Sequence, residues 1–311
     1  MFMSLVVPCY NEADVIDMFY AEVTEVMKLV TDEYEIIFVD DGSTDSTKAK
    51  LVGFASESES VKYISFSRNF GKEAAMLAGL KYAKGKYVGI LDADLQHPPS
   101  KIADMVKALE SDECDVAAAR RVDRSGEGKV KSIFSKLFYG VINKLADVQI
   151  QPGAQDFRIM KKKVADSIVS MPEYHRFSKG IFSWIGFKTK WFSHNNVSRP
   201  IGKSKWSFFG LLKYGINGIV AFSIVPLRLS LLLGMIASAA GFAQAFVIIR
   251  SALFHVGTDE VGTGFASIMS AILLLGGMIL VCLGIIGEYV ARIYIEVKKR
   301  PNFIIDETNI A

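Results

Sequence analysis

The sequence predicts an α/β domain built on a mostly parallel sheet, followed by a two-helix transmembrane hairpin. Three observations lead there. Short β-rich runs alternate with helical stretches of about ten to fifteen residues through the first part of the chain. Polar clusters follow several of those runs, at the carboxyl ends where parallel sheets place their ligands. Residues 223–289 are nearly free of charge, whereas residues 1–200 mix charges and apolar runs as a globular domain does.

Met3–Val7 reads as the first strand, closed by Pro8 and Asn11, and an acid-rich helix follows from Ala13 to about Val30. Glu35–Val39 is the second strand, ending on Asp40-Asp41-Gly42-Ser43, with Thr44 or Asp45 placed to cap the next helix. Val61–Phe66, Tyr87–Leu91 and Val116–Ala119 read as further strands, separated by helices over Glu73–Ala83 and Pro99–Leu109. The N-terminal run lacks a basic flank and a long apolar stretch, so it reads as a strand and not as a signal peptide.

Composition narrows the class. Half of the 311 residues are hydrophobic and the mean hydropathy is +0.28, high for a soluble protein. A net charge of +3 does not point to nucleic acid. Cys9, Cys114 and Cys282 are odd in number and far apart, which argues against a disulfide framework or zinc site and fits a reducing compartment.

Leu229–Ile249 and Ala266–Ile286 carry no formal charge, and each would rise about 30 Å as a helix, the thickness of a bilayer core. A pair of buried core helices is the alternative, but neither run shows a polar face. Ala237, Gly241 and Ala245 form a small-residue row suited to close helix contact, and a paired-helix homo-oligomer is compatible with it. Lys213 and Arg228 precede the first run, and Arg292, Lys298, Lys299 and Arg300 follow the second, while the connecting loop holds Asp259 and Glu260. Both ends are therefore expected in the cytosol. Trp206–Phe222 spaces Phe209, Leu212, Ile216 and Ile219 nearly helically, as an interfacial helix or one packed beneath the domain. The expected organisation is a cytosolic domain over 1–204, an interfacial helix over 205–222, the hairpin over 223–290 and a cytosolic tail over 291–311.

Two acidic clusters carry the chemistry. Asp92-Ala93-Asp94 follows the apolar run Tyr87–Leu91; at a strand end both carboxylates can converge on a hard cation, with Gln96 as a neutral oxygen ligand. Asp40-Asp41 also ends a strand, where adjacent acids repel unless something uses them. They suit imide N–H or ribose hydroxyl donors, or they cap the Thr44–Lys50 helix.

Val7-Pro8-Cys9-Tyr10-Asn11-Glu12, Val39-Asp40-Asp41-Gly42-Ser43-Thr44-Asp45 and Leu91-Asp92-Ala93-Asp94-Leu95-Gln96-His97-Pro98-Pro99, in that order, resemble the family 2 glycosyltransferases of GT-A fold. Gln155-Asp156-Phe157-Arg158 and Arg199-Pro200-Ile201-Gly202-Lys203-Ser204-Lys205 extend the match towards the polyprenyl-phosphate sugar transferases, and the two apolar spans match the bactoprenol type. The resemblance implies a GT-A nucleotide-sugar-binding domain with a mixed, mostly parallel sheet. It implies that Pro8, Tyr10, Glu12, Val39 and Asp41 line the nucleotide pocket, with Asp92 and Ala93 beside them. Asp92, Asp94 and Gln96 would hold Mg²⁺ or Mn²⁺ and the diphosphate. Arg121, Arg199 and Lys205 would approach the phosphates, with Lys203 a neighbour. Asp156 takes the catalytic carboxylate position. The implied reaction is inverting transfer of one sugar, glucose from UDP-glucose, to a membrane polyprenyl (undecaprenyl) phosphate. Because a phosphate monoester is already mostly ionised near neutral pH, Asp156 is expected to orient the acceptor more than to deprotonate it. The rival readings are another sugar donor, a nucleotide-binding scaffold, or a lipid flippase or channel. For the last, two spans without an intramembrane charge offer no polar path.

Overall fold

A computed structural model describes residues 1–121, 140, 143–144, 148–171, 173–194, 215, 217–254 and 264–310. Two compact units emerge, one comprising Met1–Ala221 with Arg300–Ala311, the other Phe222–Lys299.

The first unit is organised by an eight-stranded sheet. Its strands are β1 (Met3–Cys9), β2 (Tyr34–Asp40), β3 (Val61–Phe66), β4 (Tyr87–Ile90), β5 (Val116–Arg121), β6 (Ala154–Lys161), β7 (Thr189–His194) and β8 (Ile305–Thr308), in the order β7-β5-β6-β4-β1-β2-β3-β8. β4, β1, β2 and β3 run parallel, as the alternating pattern predicts. β6 enters antiparallel between β4 and β5 and makes the sheet mixed. Helices α1 (Ile16–Val30), α2 (Thr47–Glu57), α3 (Lys72–Tyr82) and α4 (Lys101–Glu110) fall close to the expected positions. β6, β7, β8 and the helices α5 (Lys162–Val169) and α6 (Ser178–Trp184) are additions to that reading.

α1 presents Ile16, Phe19, Val23 and Met27 to the core at the spacing of one helical face, against Leu5, Phe38 and Phe157 of the sheet cluster. α3 instead buries every residue from Ala74 to Leu80. A Cβ at Gly79 would lie 2.1 Å from Val6 Cγ1, so glycine there lets α3 approach β1.

β8 was not expected; the tail over 291–311 divides. The second apolar helix runs on to Val297, and residues from Arg300 return to the first unit, where β8 pairs antiparallel with β3. Phe303 stacks on Phe66 with centroids 5.1 Å apart, Tyr63 Oη donates to Glu307 at 2.7 Å, and Lys48 meets Asp306 and Glu307 at 3.1 and 3.0 Å.

The second unit is the hairpin of α7 (Val225–Phe254) and α8 (Gly264–Val297), both longer than the predicted spans. Both are long and apolar enough to cross a membrane, and their apolar windows are 6% and 0% buried, which removes the core-helix alternative. Tyr289 Oη donates to the Ser223 carbonyl at 2.6 Å, and Cys282 Sγ lies 3.6 Å from that of Ser230, stitching the two helices. A Cβ at Gly241 would meet nothing within 4 Å, so the small-residue row is not used for contact within this chain at that point. Residues 205–214 and 216 of the proposed interfacial helix, the loop acids Asp259 and Glu260, and Arg199, Lys203 and Lys205 lie outside the described residues.

Candidate active site

Three strand ends meet at one cavity. After β1 the chain turns at Asn11, φ 53°, and is laced to the loop after β2. Asn11 N–H donates to Ser43 Oγ at 2.9 Å, its Oδ1 accepts from Thr44 N–H at 2.8 Å, and Glu12 N–H donates to Thr47 Oγ1 at 2.9 Å. Asp45 accepts from Thr47 N–H at 2.9 Å and from Ala13 N–H at 3.2 Å, although the residue in the N-cap position of α2 is Ser46 and not the expected Thr44 or Asp45. These bonds hold Tyr10 and Glu12 beside the end of β2.

Asp40 and Asp41 do not cap α2. Asp40 accepts from Ser43 N–H and Ser65 Oγ at 3.1 and 2.9 Å. Asp41 accepts from Phe70 N–H at 2.6 Å and from Gly71 N–H at 2.9 Å, so it fixes the loop entering α3. Between them and that loop lies Gly42, φ +67°, where a Cβ would come within 2.4 Å of the Arg68 carbonyl carbon. Glycine is required there for both conformation and space. Burial, opposed by the two amides, pushes the Asp41 carboxyl up to about 6.

At the end of β4 the chain passes Asp92 and Asp94 and turns at Leu95, φ 54°, an uncommon conformation for a γ-branched side chain. Gln96 N–H closes the turn on Asp94 Oδ1 at 3.1 Å, which brings Asp94 and Gln96 to the same cavity. Asp92 is met by Lys72 Nζ at 2.7 Å and by His97 Nε2 at 3.7 Å. The same ammonium reaches Asp156 Oδ2 at 2.5 Å, joining β4 to β6. Burial alone would raise both carboxyls; the Lys72 charge overcomes it and holds Asp92 and Asp156 below the usual range. In return the two acids hold Lys72 firmly protonated against its own burial.

Pro8, Tyr10, Glu12, Asp41, Asp92, Ala93, Asp94, Gln96, Arg121 and Asp156 all line this one cavity of about 580 Å³. Arg121 is the last residue of β5, and its N–H is fixed on the Gly153 carbonyl at 3.0 Å. Val39 is a correction. It is fully buried, turned by strand alternation to the face opposite Phe38, and does not line the cavity. Arg199 and Lys205 belong to the undescribed residues, so the cavity's basic side is represented here by Arg121, Lys72 and Lys179.

The donor set fits a hard divalent ion. Asp92, Asp94 and Gln96 supply oxygen only, and a lysine ammonium already stands as counter-charge against Asp92. Among the described residues no group of three or more His, Cys, Asp or Glu side chains is placed to hold a metal ion, so an ion here would need Gln96, water and substrate oxygens beside the two carboxylates, ligands that Mg²⁺ and Mn²⁺ accept.

Sequence reasoning missed Lys72, His97, Gln155 and Lys179, all of which line the cavity. Lys72 carried a usable signal. It opens a helix, where the dipole disfavours a cation, directly after the turn residues Asn69-Phe70-Gly71. A lysine in that place needs carboxylates to explain it.

Residues 4–169 match the glycosyl transferase family 2 model, and residues 225–293 match the GtrB C-terminal hairpin. A putative glycosyltransferase of Bacillus subtilis, CsbB, is 40% identical over 99% of this chain and 92% of its own length. A prophage bactoprenol glucosyl transferase homolog of Escherichia coli is 37% identical over 97% of this chain and 98% of its own. The bactoprenol glucosyl transferase of Shigella phage SfV is 38% identical, covering 97% of each. Among solved structures, glucosyl-3-phosphoglycerate synthase from Mycobacterium tuberculosis, in complex with Mn²⁺, UDP and phosphoglyceric acid, superposes with a TM-score of 0.50. At 15% identity over 70% of this chain and 76% of that one, it bears on the fold alone. The extent of the family match and of the identity to these relatives shows that the chain belongs to glycosyltransferase family 2, with the GtrB type of C-terminal hairpin.

Proposed function

We propose that this enzyme transfers a single glucose from UDP-glucose to undecaprenyl, or another polyprenyl, phosphate, with inversion, at the cytosolic face of a membrane. One observation carries the reading: all three sequence motifs send residues into a single cavity, Pro8, Tyr10 and Glu12 from the first, Asp41 from the second and Asp92, Asp94 and Gln96 from the third, together with Asp156 and Arg121. Relatives named for bactoprenol glucosylation, alike over nearly their whole length, support the acceptor and the sugar.

Tyr10, Glu12 and Asp41 would receive the nucleoside, beside the amides of the 70–71 loop. Asp92, Asp94 and Gln96 would hold Mg²⁺ or Mn²⁺. When bound, the ion would neutralise charge growing on the departing diphosphate. The acceptor's phosphate oxygen attacks the anomeric carbon as the bond to the nucleoside diphosphate breaks, and it needs no base because it is already ionised near neutral pH. Asp156, kept ionised by Lys72, orients the acceptor or a sugar hydroxyl. Arg121 would offset the repulsion between two anionic substrates.

Connectivity supports this membrane placement. Residues preceding the hairpin and residues from Arg300 belong to one unit, as two crossings by α7 and α8 would require. The basic flanks Arg228, Arg292 and Lys298–Arg300 favour the cytosolic side for that unit.

Assaying the full chain with undecaprenyl phosphate and a panel of UDP- and GDP-sugars, with and without Mn²⁺, tests the reaction. Glucose transfer from UDP-glucose that requires the ion is expected; transfer restricted to another donor would replace the assignment. Protease added to inside-out vesicles should digest residues 1–200, and protection of that segment would reverse the topology.

A further inference from the structure

Beside the acid-lined cavity lies a second one, of about 220 Å³, and its charge is reversed. Its lining holds Arg158 and Lys179 with Gln149, Gln151, Thr189 and Trp191, and no carboxylate among the described residues. Lys179 borders both cavities, and β6 contributes Gln155 and Asp156 to one and Ala154 and Arg158 to the other.

Arg158 is the stronger sign. It is 3% exposed, yet no carboxylate stands within ion-pair distance among the described residues. Its Nε donates to the Asp156 carbonyl at 3.3 Å and its Nη2 to that of Gln155 at 2.8 Å, leaving Nη1 without a hydrogen bond among the described residues. The guanidinium lies over Phe182 at 3.3 Å from the ring centroid, which fixes its plane. A buried cation held by backbone carbonyls and one ring is costly unless an anion completes it. The Lys179 ammonium likewise makes no hydrogen bond or ion pair among the described residues, although Ser178 beside it is anchored to Glu73 through both N–H and Oγ. The helix that carries Lys179 is thus pinned to the start of α3, and its free ammonium stands at the wall shared with Asp156.

We propose that this acid-free cavity seats the phosphate of the acceptor, with Lys179 and Arg158 as its ligands. The inference rests on the transfer reaction proposed above and adds where the nucleophile sits. The donor's diphosphate and the acceptor's phosphate are both anions, and separate cavities of opposite character would keep them apart until attack. A phosphate held at Lys179 lies next to Asp156, on the side of β6 away from Asp41. Atom balance is that of the parent reaction: one phosphate oxygen–carbon bond forms, the anomeric bond to the diphosphate breaks, and no proton need move.

Binding decides the matter without turnover. The full chain in detergent micelles is titrated calorimetrically with a ten-carbon isoprenyl phosphate, with the corresponding isoprenyl alcohol, with inorganic phosphate and with UDP. Lys179→Met is expected to weaken isoprenyl phosphate about tenfold, equivalent to about 1.4 kcal/mol, to weaken UDP by markedly less because Lys179 only borders the nucleotide cavity, and to leave the alcohol unchanged. Lys179→Arg should restore most of the loss. In the transfer assay the same variant should raise the acceptor KM by more than the donor KM. Isoprenyl phosphate affinity unchanged in Lys179→Met, or a loss shared equally by UDP, overturns the proposal. If inorganic phosphate binds as tightly as the isoprenyl ester and is lost in the same variant, the occupant is the free anion and the acceptor assignment falls. Because Arg158→Met removes a buried group, it serves only with a matched unfolding curve, and Lys179 carries the test. Wild-type protein that binds isoprenyl phosphate at this cavity but transfers no glucose would refute the parent reaction and leave the subsite standing.

Discussion

The two acidic strand tips look alike in sequence and do different work. Asp40 and Asp41 end β2; Asp92 and Asp94 follow β4. At the first tip both side chains are nearly inaccessible, 1% and 3% exposed, and their oxygens accept from Ser43, Ser65, Phe70 and Gly71. At the second, Asp92 meets a movable ammonium and a histidine, and Asp94 faces the cavity while accepting from the Gln96 N–H of the turn. Acids whose lone pairs are satisfied by the chain's own amides build the pocket wall. Acids balanced by a side-chain cation can exchange that partner for a ligand.

The largest effect should come from the second tip. Asp94→Asn keeps the volume and an acceptor for Gln96 N–H but removes the charge, and turnover should fall by about three orders of magnitude, the scale of losing a key electrostatic contact. Its unfolding midpoint should stay near that of the wild type. Retention of more than a tenth of the activity would erase the distinction between the tips. Asp40→Ala should behave the opposite way. It strands the Ser43 N–H and Ser65 hydroxyl in a buried site and should cost about 1–3 kcal/mol of stability, read from denaturant unfolding.

Lys72→Met sharpens the comparison at intermediate magnitude. Removing the ammonium leaves Asp92 and Asp156 without the cation that bridges them. Mn²⁺, measured by electron paramagnetic resonance, should bind more tightly to the variant because its internal competitor is gone. Transfer should nonetheless slow about tenfold or more, since Asp156 loses its positioning partner. The Lys72 charge lowers the Asp156 carboxyl, so its loss should move the acid limb of the rate profile to higher pH. Weaker Mn²⁺ binding would mean that Lys72 helps to build the ion site and does not compete for it.

What could be read in advance follows the same division. The parallel strands β1 to β4 and their acidic ends were legible because a short apolar run, a turn and a helix recur with local signals alone. β6 was legible only as a motif: Asp156 carried a family resemblance, but its antiparallel insertion depends on pairing with β4 and β5 far away in sequence. β8 was hidden for a related reason. Ile305–Thr308 is short and charged, and it is a strand because β3 offers an open edge and Lys48 and Tyr63 receive its acids. Val39 was misjudged because motif membership says nothing about which face of a strand a side chain takes. Lys72 was missed because its reason lies in two carboxylates delivered by other strands.

The smallest expected effect concerns Asp41 and has opposite signs in two measurements. Burial raises its carboxyl from the ordinary value of 3.8 to about 6, against the pull of the Phe70 and Gly71 amides. The folded chain therefore holds this proton more tightly than the unfolded chain does. Its contribution to stability is full below about pH 4 and is lost as pH rises through about 6, a change of order 1–3 kcal/mol. Nucleotide binding should run the other way, because only the ionised form offers all its lone pairs to a nucleoside donor while still holding the 70–71 amides. UDP affinity should accordingly rise about three- to tenfold between pH 5 and pH 7, as chemical stability measured over the same interval declines. Asp41→Asn should flatten both curves and leave a lower, pH-independent UDP affinity. A parallel rise of the two in the wild type would show that Asp41 is ionised in the fold at pH 5, and that the first strand tip is no more strained by burial than the second.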